Sequence, residues 1–113
     1  MADECLFCSI VRKEIPAKIV AESPECLAFR DIGPKAPVHV LVIPKVHVRT
    51  MNDVTDFALM GKMAQMAAEV AKAEGIAEKG YRVIANTNAG GGQTVFHLHL
   101  HLLGGRPMKW PPG

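Results

Sequence analysis

His97-Leu98-His99-Leu100-His101-Leu102-Leu103 decides the reading of this chain. In an extended strand, successive side chains point to opposite faces, so residues i, i+2 and i+4 share one face. Read as part of a strand from Val95 to Leu103, the stretch sends its leucines into a core. The three imidazoles then line the other face, each roughly 7 Å from the next by the strand rise. Imidazole suits proton transfer, nucleophilic attack and metal binding near neutral pH, so this face is a site.

The residues just upstream sharpen it. Gly90-Gly91-Gly92-Gln93-Thr94 runs directly into the histidines. Glycines permit positive φ and close backbone approach, and successive N–H groups can form an anion nest. A phosphate held there would lie beside the imidazoles. The competing reading is a flexible hairpin loop followed by exposed histidines.

The rest of the chain bounds the answer. Its 113 residues suit a single domain spanning 1–113. Apolar residues make up 49% and charged residues 21%, an ordinary globular balance. The net charge of +2 comes without any Lys/Arg block, which argues against broad nucleic-acid or membrane-surface binding and leaves room for a small anionic substrate. Met1-Ala2-Asp3-Glu4 is acidic and lacks the plan of a signal peptide, and no apolar run reaches transmembrane length. A cytoplasmic protein is expected. Three cysteines argue against a disulfide framework. Cys5 and Cys8 form a C-x-x-C pair, and Cys26 reads as a small buried hydrophobe.

Outward from the histidines, the elements follow from periodicity. Leu6, Phe7, Ile10 and Val11 have helical spacing and predict a short helix that ends before Pro16. Lys18 to Glu22 and Cys26 to Arg30 read as strands around the turn Ser23-Pro24-Glu25. Val38 to Pro44, β-branched and nearly all apolar, reads as a central strand. One long helix is expected from about Asp53 to Glu74, capped by Thr50 or Asn52 and closed by Gly75. Phe57, Met60, Ala64, Ala67 and Ala71 trace its apolar stripe, and Met60, Met63 and Met66 are packing residues. Tyr81 to Asn86 completes the strands. The early strands lie too close in sequence for helical crossovers, so antiparallel pairing is expected. The fold class is α+β, with helices on one face of a single sheet.

These residues resemble a known family. His97 to Leu103 matches the H-φ-H-φ-H-φ-φ signature of the histidine-triad (HIT) superfamily of nucleotide hydrolases and transferases. Ile15-Pro16-Ala17-Lys18, Ala28 to Ile32, Val38 to Lys45 and the Gly-Gly-Gln-Thr loop are similar to it as well. The tail from Leu103 to Gly113, with Trp110-Pro111-Pro112-Gly113, resembles the Hint branch, which contains purine nucleoside phosphoramidases. The resemblance implies a HIT-like fold: a mostly antiparallel five-stranded sheet with one long and one short helix, continued across a homodimer.

It further implies that His99 is the nucleophile, attacking the α-phosphorus to give a nucleotidyl-imidazole that water hydrolyses. A neutral imidazole is a good nucleophile at pH 7, and covalent catalysis splits one displacement into two easier ones. The other ring nitrogen of His99 must then be held as a donor, by a backbone carbonyl near His97 in the family. His101 and His39 would flank the phosphate, and His97 completes the catalytic set. Asn86, Gly92, Gln93 and Thr94 match phosphate-proximal positions. Asp31 matches the ribose-binding carboxylate. Phe7, Ile10, Ile15, Phe29, Ile32 and Leu41, with His39 beside them, match the nucleoside pocket, although each apolar member suits an ordinary core equally. Trp110 is the expected contact to the partner's site.

The chemistry requires no cofactor. Some triad-family members bind a structural zinc, and by position its ligands here would be Cys5, Cys8, His47 and His97. Several Hint-branch proteins lack the cysteines, so this chain joins a Hint-like tail to a zinc-type N-terminus. The competing reading leaves two helix-borne thiols, packed or exposed. A redox pair fits less well, because no thioredoxin-like βαβ pattern surrounds it. Three other functions compete with the phosphoramidase: a dinucleoside polyphosphate hydrolase, a zinc hydrolase using His97, His99 and His101 as ligands, and a non-catalytic nucleotide-binding scaffold.

Overall fold

The computed structural model describes residues 5–113, so Met1 to Glu4, and the reading of them as lacking a leader, lie outside it. Five strands form one sheet in the order β1-β2-β3-β5-β4. They are β1 (Ile19–Glu22), β2 (Cys26–Arg30), β3 (Val38–Pro44), β4 (Tyr81–Ile84) and β5 (Leu100–Gly104). Every neighbouring pair is antiparallel. Two helices accompany the sheet, α1 (Leu6–Val11) and α2 (Ala58–Ala73). This is the expected α+β architecture.

The helices do not share a face, which corrects the expectation. The even-numbered sheet residues Ala28, Val40, Val42, Leu100 and Leu102 pack with Met63, Met66, Ala67, Val70 and Ala71 of α2. The odd-numbered Leu27, Phe29, Leu41 and Ile43 pack with Phe7 and Ile10 of α1. Both faces of the central strands are therefore covered, which is why Val38 to Pro44 reads as an unbroken apolar run. Burying a leucine such as Leu102 completely is worth about 1.5–3 kcal/mol.

The long helix starts later than its sequence suggests. Thr50 and Asp53 form a reciprocal capping box around a separate short turn, Met51–Asp53, and Val54 is then extended. The buried stripe of α2 also differs from the one expected, because Phe57 is 58% exposed and Ala64 faces outward. Gly75 ends the helix at φ +75°, with its N–H on the Lys72 carbonyl and the Ile76 N–H on the Ala71 carbonyl. Ile76 is thereby turned into the core. No helix among the described residues is long and apolar enough to cross a membrane.

The triad strand is shorter than expected. β5 begins at Leu100, and only His101 of the three histidines lies within it. The ladder with β3 ends at Val42 and Leu100. Beyond that point the Leu98 N–H goes to the Val48 carbonyl instead. The alternation survives without the ladder, since Leu98, Leu100 and Leu102 all join the α2 core.

Candidate active site and metal centre

His99 is buried at 6% exposure, its ring meeting Phe7 in a T-shaped contact with centroids 5.2 Å apart. Its Nδ1 lies 2.7 Å from the His97 carbonyl oxygen. A carbonyl only accepts, so Nδ1 carries the proton and donates it, and Nε2 is left with its lone pair. Burial lowers the His99 pKa, against the opposing pull of the His97 carbonyl and Asp31. The imidazole is therefore neutral near pH 7 and shows one unprotonated nitrogen. That is the state a nucleophile needs.

His101 stands beside it, with ring centroids 4.9 Å apart. This is closer than the strand rise suggests. His101 pairs with Leu41 of β3, and His39 sits two residues before Leu41 on the same face. His39 Nε2 and His101 Nδ1 come within 3.0 Å. Burial, then repulsion from His99 and His39, push the His101 pKa down to about 4. Burial lowers His39 too, partly offset by the Asp31 carboxylate 3.4 Å away.

Asp31 follows β2, its Oδ1 accepting the Gly33 N–H at 2.7 Å. With His39, Lys18 and Ile32 it lines a cavity of about 600 Å³ bounded by prolines. That volume suits a small organic ligand. A cavity of about 610 Å³ beside Ile76, Lys79 and Arg106 is lined by no histidine or carboxylate. Phe7, Ile10, Phe29 and Leu41 are buried together under α1, Phe7 meeting Phe29 edge-on at 5.5 Å. Ile15 and Ile32 are exposed, Ile32 completely, and Ile32 also lines the Asp31 cavity.

The glycine loop is built differently from the expected nest. The N–H groups of Gly91, Gly92 and Gln93 are spent on the carbonyls of Asn88 and Ala89. Gln93 turns inward: its Oε1 accepts the Asn88 N–H, and its Nε2 donates to the carbonyls of Arg49 and Val95. Its side chain ties the loop down and presents nothing to a phosphate. Gly92 is left-handed at φ +86°, and the amide of Asn86 lies beside it. Thr94 is exposed at the end of the loop.

His97 belongs to a second centre. It is fully buried, and its Nε2 donates to the Pro44 carbonyl at 2.8 Å. Its Nδ1 lone pair then faces Cys5 Sγ at 3.4 Å, Cys8 Sγ at 3.6 Å and His47 Nδ1 at 3.2 Å. Cys8 Sγ lies 3.3 Å from His47 Nδ1. Ligands at tetrahedral zinc, with Zn–S near 2.3 Å and Zn–N near 2.0–2.1 Å, stand roughly 3.3–3.8 Å apart. The donor set and spacing fit that ion, and the Pro44 carbonyl supplies the hydrogen bond that zinc-bound imidazoles usually make. Burial, then the neighbouring Cys5, push the Cys8 thiol up. A cation would reverse that.

The three triad imidazoles therefore do not converge. Among the described residues, the metal-capable groups are Cys5/Cys8/His47/His97 and Asp31/His39/His101, and neither contains all three. Trp110 is 82% exposed, and Arg82 holds the tail beside β4 through the Lys109 carbonyl at 2.9 Å. Sequence reasoning missed Lys35, Pro44 and Arg106. The first two act through main-chain groups, which leave no side-chain signature.

Comparison with known proteins identifies the family of the fold. The HIT domain family model matches residues 12–108. A purine nucleoside phosphoramidase of Escherichia coli strain K12 is 52% identical over 110 residues, covering 96% of this chain and 92% of that protein. A HIT family hydrolase from Legionella pneumophila superposes with a TM-score of 0.94 at 55% identity, over 97% of this chain and 100% of the other. A histidine triad protein from Clostridium difficile gives 0.91 at 39% identity, over 94% of each chain.

Proposed function

The chain belongs to the HIT-domain family, and from that premise we propose that it hydrolyses purine nucleoside 5′-phosphoramidates through a covalent nucleotidyl-histidine. The Nδ1–H of His99 on the His97 carbonyl carries this reading, because it leaves Nε2 as a buried, neutral nucleophile. Nε2 attacks the α-phosphorus as the P–N bond breaks. The amine departs with that bond's electron pair and takes a proton from water, leaving hydroxide. A second water then attacks the phosphorus, giving its proton to that hydroxide, and the P–Nε2 bond breaks with its electron pair returning to His99. His101, held in place by His39, serves the phosphoryl group, which gathers charge in both steps and calls for fixed donors. Asn86, Gly92 and Thr94 border the phosphate. Asp31 receives the ribose hydroxyls, with the base against Ile15 and Ile32 and the aromatic floor behind it.

Cys5, Cys8, His47 and His97 would hold a structural zinc, whose positive charge would stabilise two thiolates and tie α1 to the chain just after β3. His97 would then hold the ion by its ring, while its carbonyl holds the nucleophile. Reduced cysteines suit a cytoplasmic protein.

The same reading makes the protein a homodimer. β4 is an open edge with Tyr81 and Val83 exposed, and Phe57 is exposed just before α2. Pairing through that edge would continue the sheet and bring Trp110 to the partner's site. Light scattering should give twice the chain mass.

Incubating the protein with adenosine 5′-phosphoramidate and quenching in base should trap one nucleotidyl group on His99. His99→Ala should lose the adduct and turnover by at least ~10⁴-fold while melting near wild type. An adduct retained in His99→Ala would refute the assignment. Faster hydrolysis of diadenosine triphosphate than of the phosphoramidate would move the protein to the dinucleotide-cleaving branch.

A further inference from the structure

The tail touches the site from behind. Arg106 donates to the Lys35 carbonyl through Nη2 at 2.9 Å and Nε at 3.3 Å. One residue earlier, Gly105 runs so close to the 31–38 loop that a Cβ there would meet Pro37 at 2.8 Å. The loop is therefore pressed and hydrogen-bonded onto the base of the tail. Its Lys35 N–H donates to His39 Nδ1 at 3.0 Å.

That bond decides where the protons lie. An N–H only donates, so His39 Nδ1 is a lone pair, and in a neutral imidazole the proton must then sit on Nε2. The two groups facing His39 Nε2 are His101 Nδ1 at 3.0 Å and Asp31 Oδ2 at 3.4 Å. Both are acceptors for that proton, and His101 is the nearer. With its Nδ1 accepting, a neutral His101 carries its own proton on Nε2. The same proton on His39 removes the lone pair a cation would need, so the Asp31/His39/His101 group is a relay and not a metal site.

We infer that Arg106 is a positioning residue for His101: its grip on Lys35 holds the chain Lys35 N–H to His39 Nδ1 and His39 Nε2–H to His101 Nδ1, which fixes His101 as the Nε2–H tautomer. His39 is then a positioning residue as well, acting through His101. The inference rests on the reading of His101 as a phosphoryl donor, because only the Nε2–H tautomer leaves a proton free for the substrate.

The tautomers are read in ligand-free protein by ¹⁵N-edited NMR of the imidazoles, independent of any activity. Wild type should show His101 with a lone-pair Nδ1 and a protonated Nε2. His39→Leu should give a mixture of tautomers at His101. His39→Gln, whose amide nitrogen stands where Nε2 stood, should restore the single form. Arg106→Met should partly mix the tautomers and lower kcat about 3–10-fold, with KM for the phosphoramidate within about twofold of wild type. A His101 proton found on Nδ1 in wild type would overturn the inference. So would an Arg106→Met protein with both tautomer and kcat unchanged, whatever its melting temperature. Failure of the hydrolase reading would instead appear as absent turnover in a wild type whose tautomers are as described.

Discussion

The two ends of the triad are held in different ways. At the His97 end, four side chains of metal-ligating type converge, three of them from outside the triad: Cys5, Cys8 and His47. At the His101 end the controlling groups are the Lys35 amide and the Lys35 carbonyl, reached through His39 and Arg106. Between them, His99 is set by the main-chain carbonyl of His97. Side-chain ligation can be read from residue types at fixed spacing. Main-chain control cannot, because every residue has the same amide. At the first end the C-x-x-C pair is legible in the sequence and the family resemblance added His47 and His97; the second end required the fold.

The strongest way to break this contrast is at Cys8. Cys8→Ser should lose zinc by metal analysis and lower the melting temperature by several degrees. Under the proposed zinc centre it removes a ligand that would join α1 to His97, and structural zinc contributes directly to folding. His101 should keep its tautomer in that variant, since nothing at its end touches the thiols. A zinc content near one per chain in Cys8→Ser would remove the metal centre from the account.

Acidification probes the opposite end. His39 and His101 have folded pKa values below the ordinary histidine value of 6.5, His101 at about 4. A group depressed in this way is neutral in the fold but takes up a proton in the unfolded chain. Its penalty is absent above 6.5 and grows as pH falls from 6.5 toward 4, where the folded form also protonates. Denaturation midpoints should therefore fall over that window, and His101→Gln should flatten the decline. An equal decline in the variant would place the acid sensitivity elsewhere.

Gln93 offers the smallest effect and tests the loop between the two ends. Gln93→Ala removes three hydrogen bonds to main-chain groups. The expected cost is about 1–3 kcal/mol in denaturant unfolding, as for a buried polar group left unpaired. KM for the nucleotide should rise as the loop loosens. A changed KM with unchanged stability would return Gln93 to the substrate.

Much of the architecture is legible from periodicity. The bounds Cys26–Arg30 and Val38–Pro44 follow from apolar runs between turn residues, and the left-handed Gly75 marks the end of α2. The late start of α2 is not legible, because the Thr50–Asp53 box and a continuing helix share the same cap residues. The side of the sheet that each helix covers is not legible either. Both faces of β3 are apolar, so α1 and α2 each satisfy either one.

The sequence alone determined that His97, His99 and His101 share a face opposite Leu98, Leu100 and Leu102. An extended chain alternates whether or not it is paired. Only the tertiary structure gave the three imidazoles their different partners. Each ring has two nitrogens, and the partner of one fixes the state of the other. Those partners, the carbonyls of Pro44 and His97 and the imidazole of His39, come from distant or main-chain positions. A proton's place on a histidine is a property of what packs against it, and no residue type encodes that.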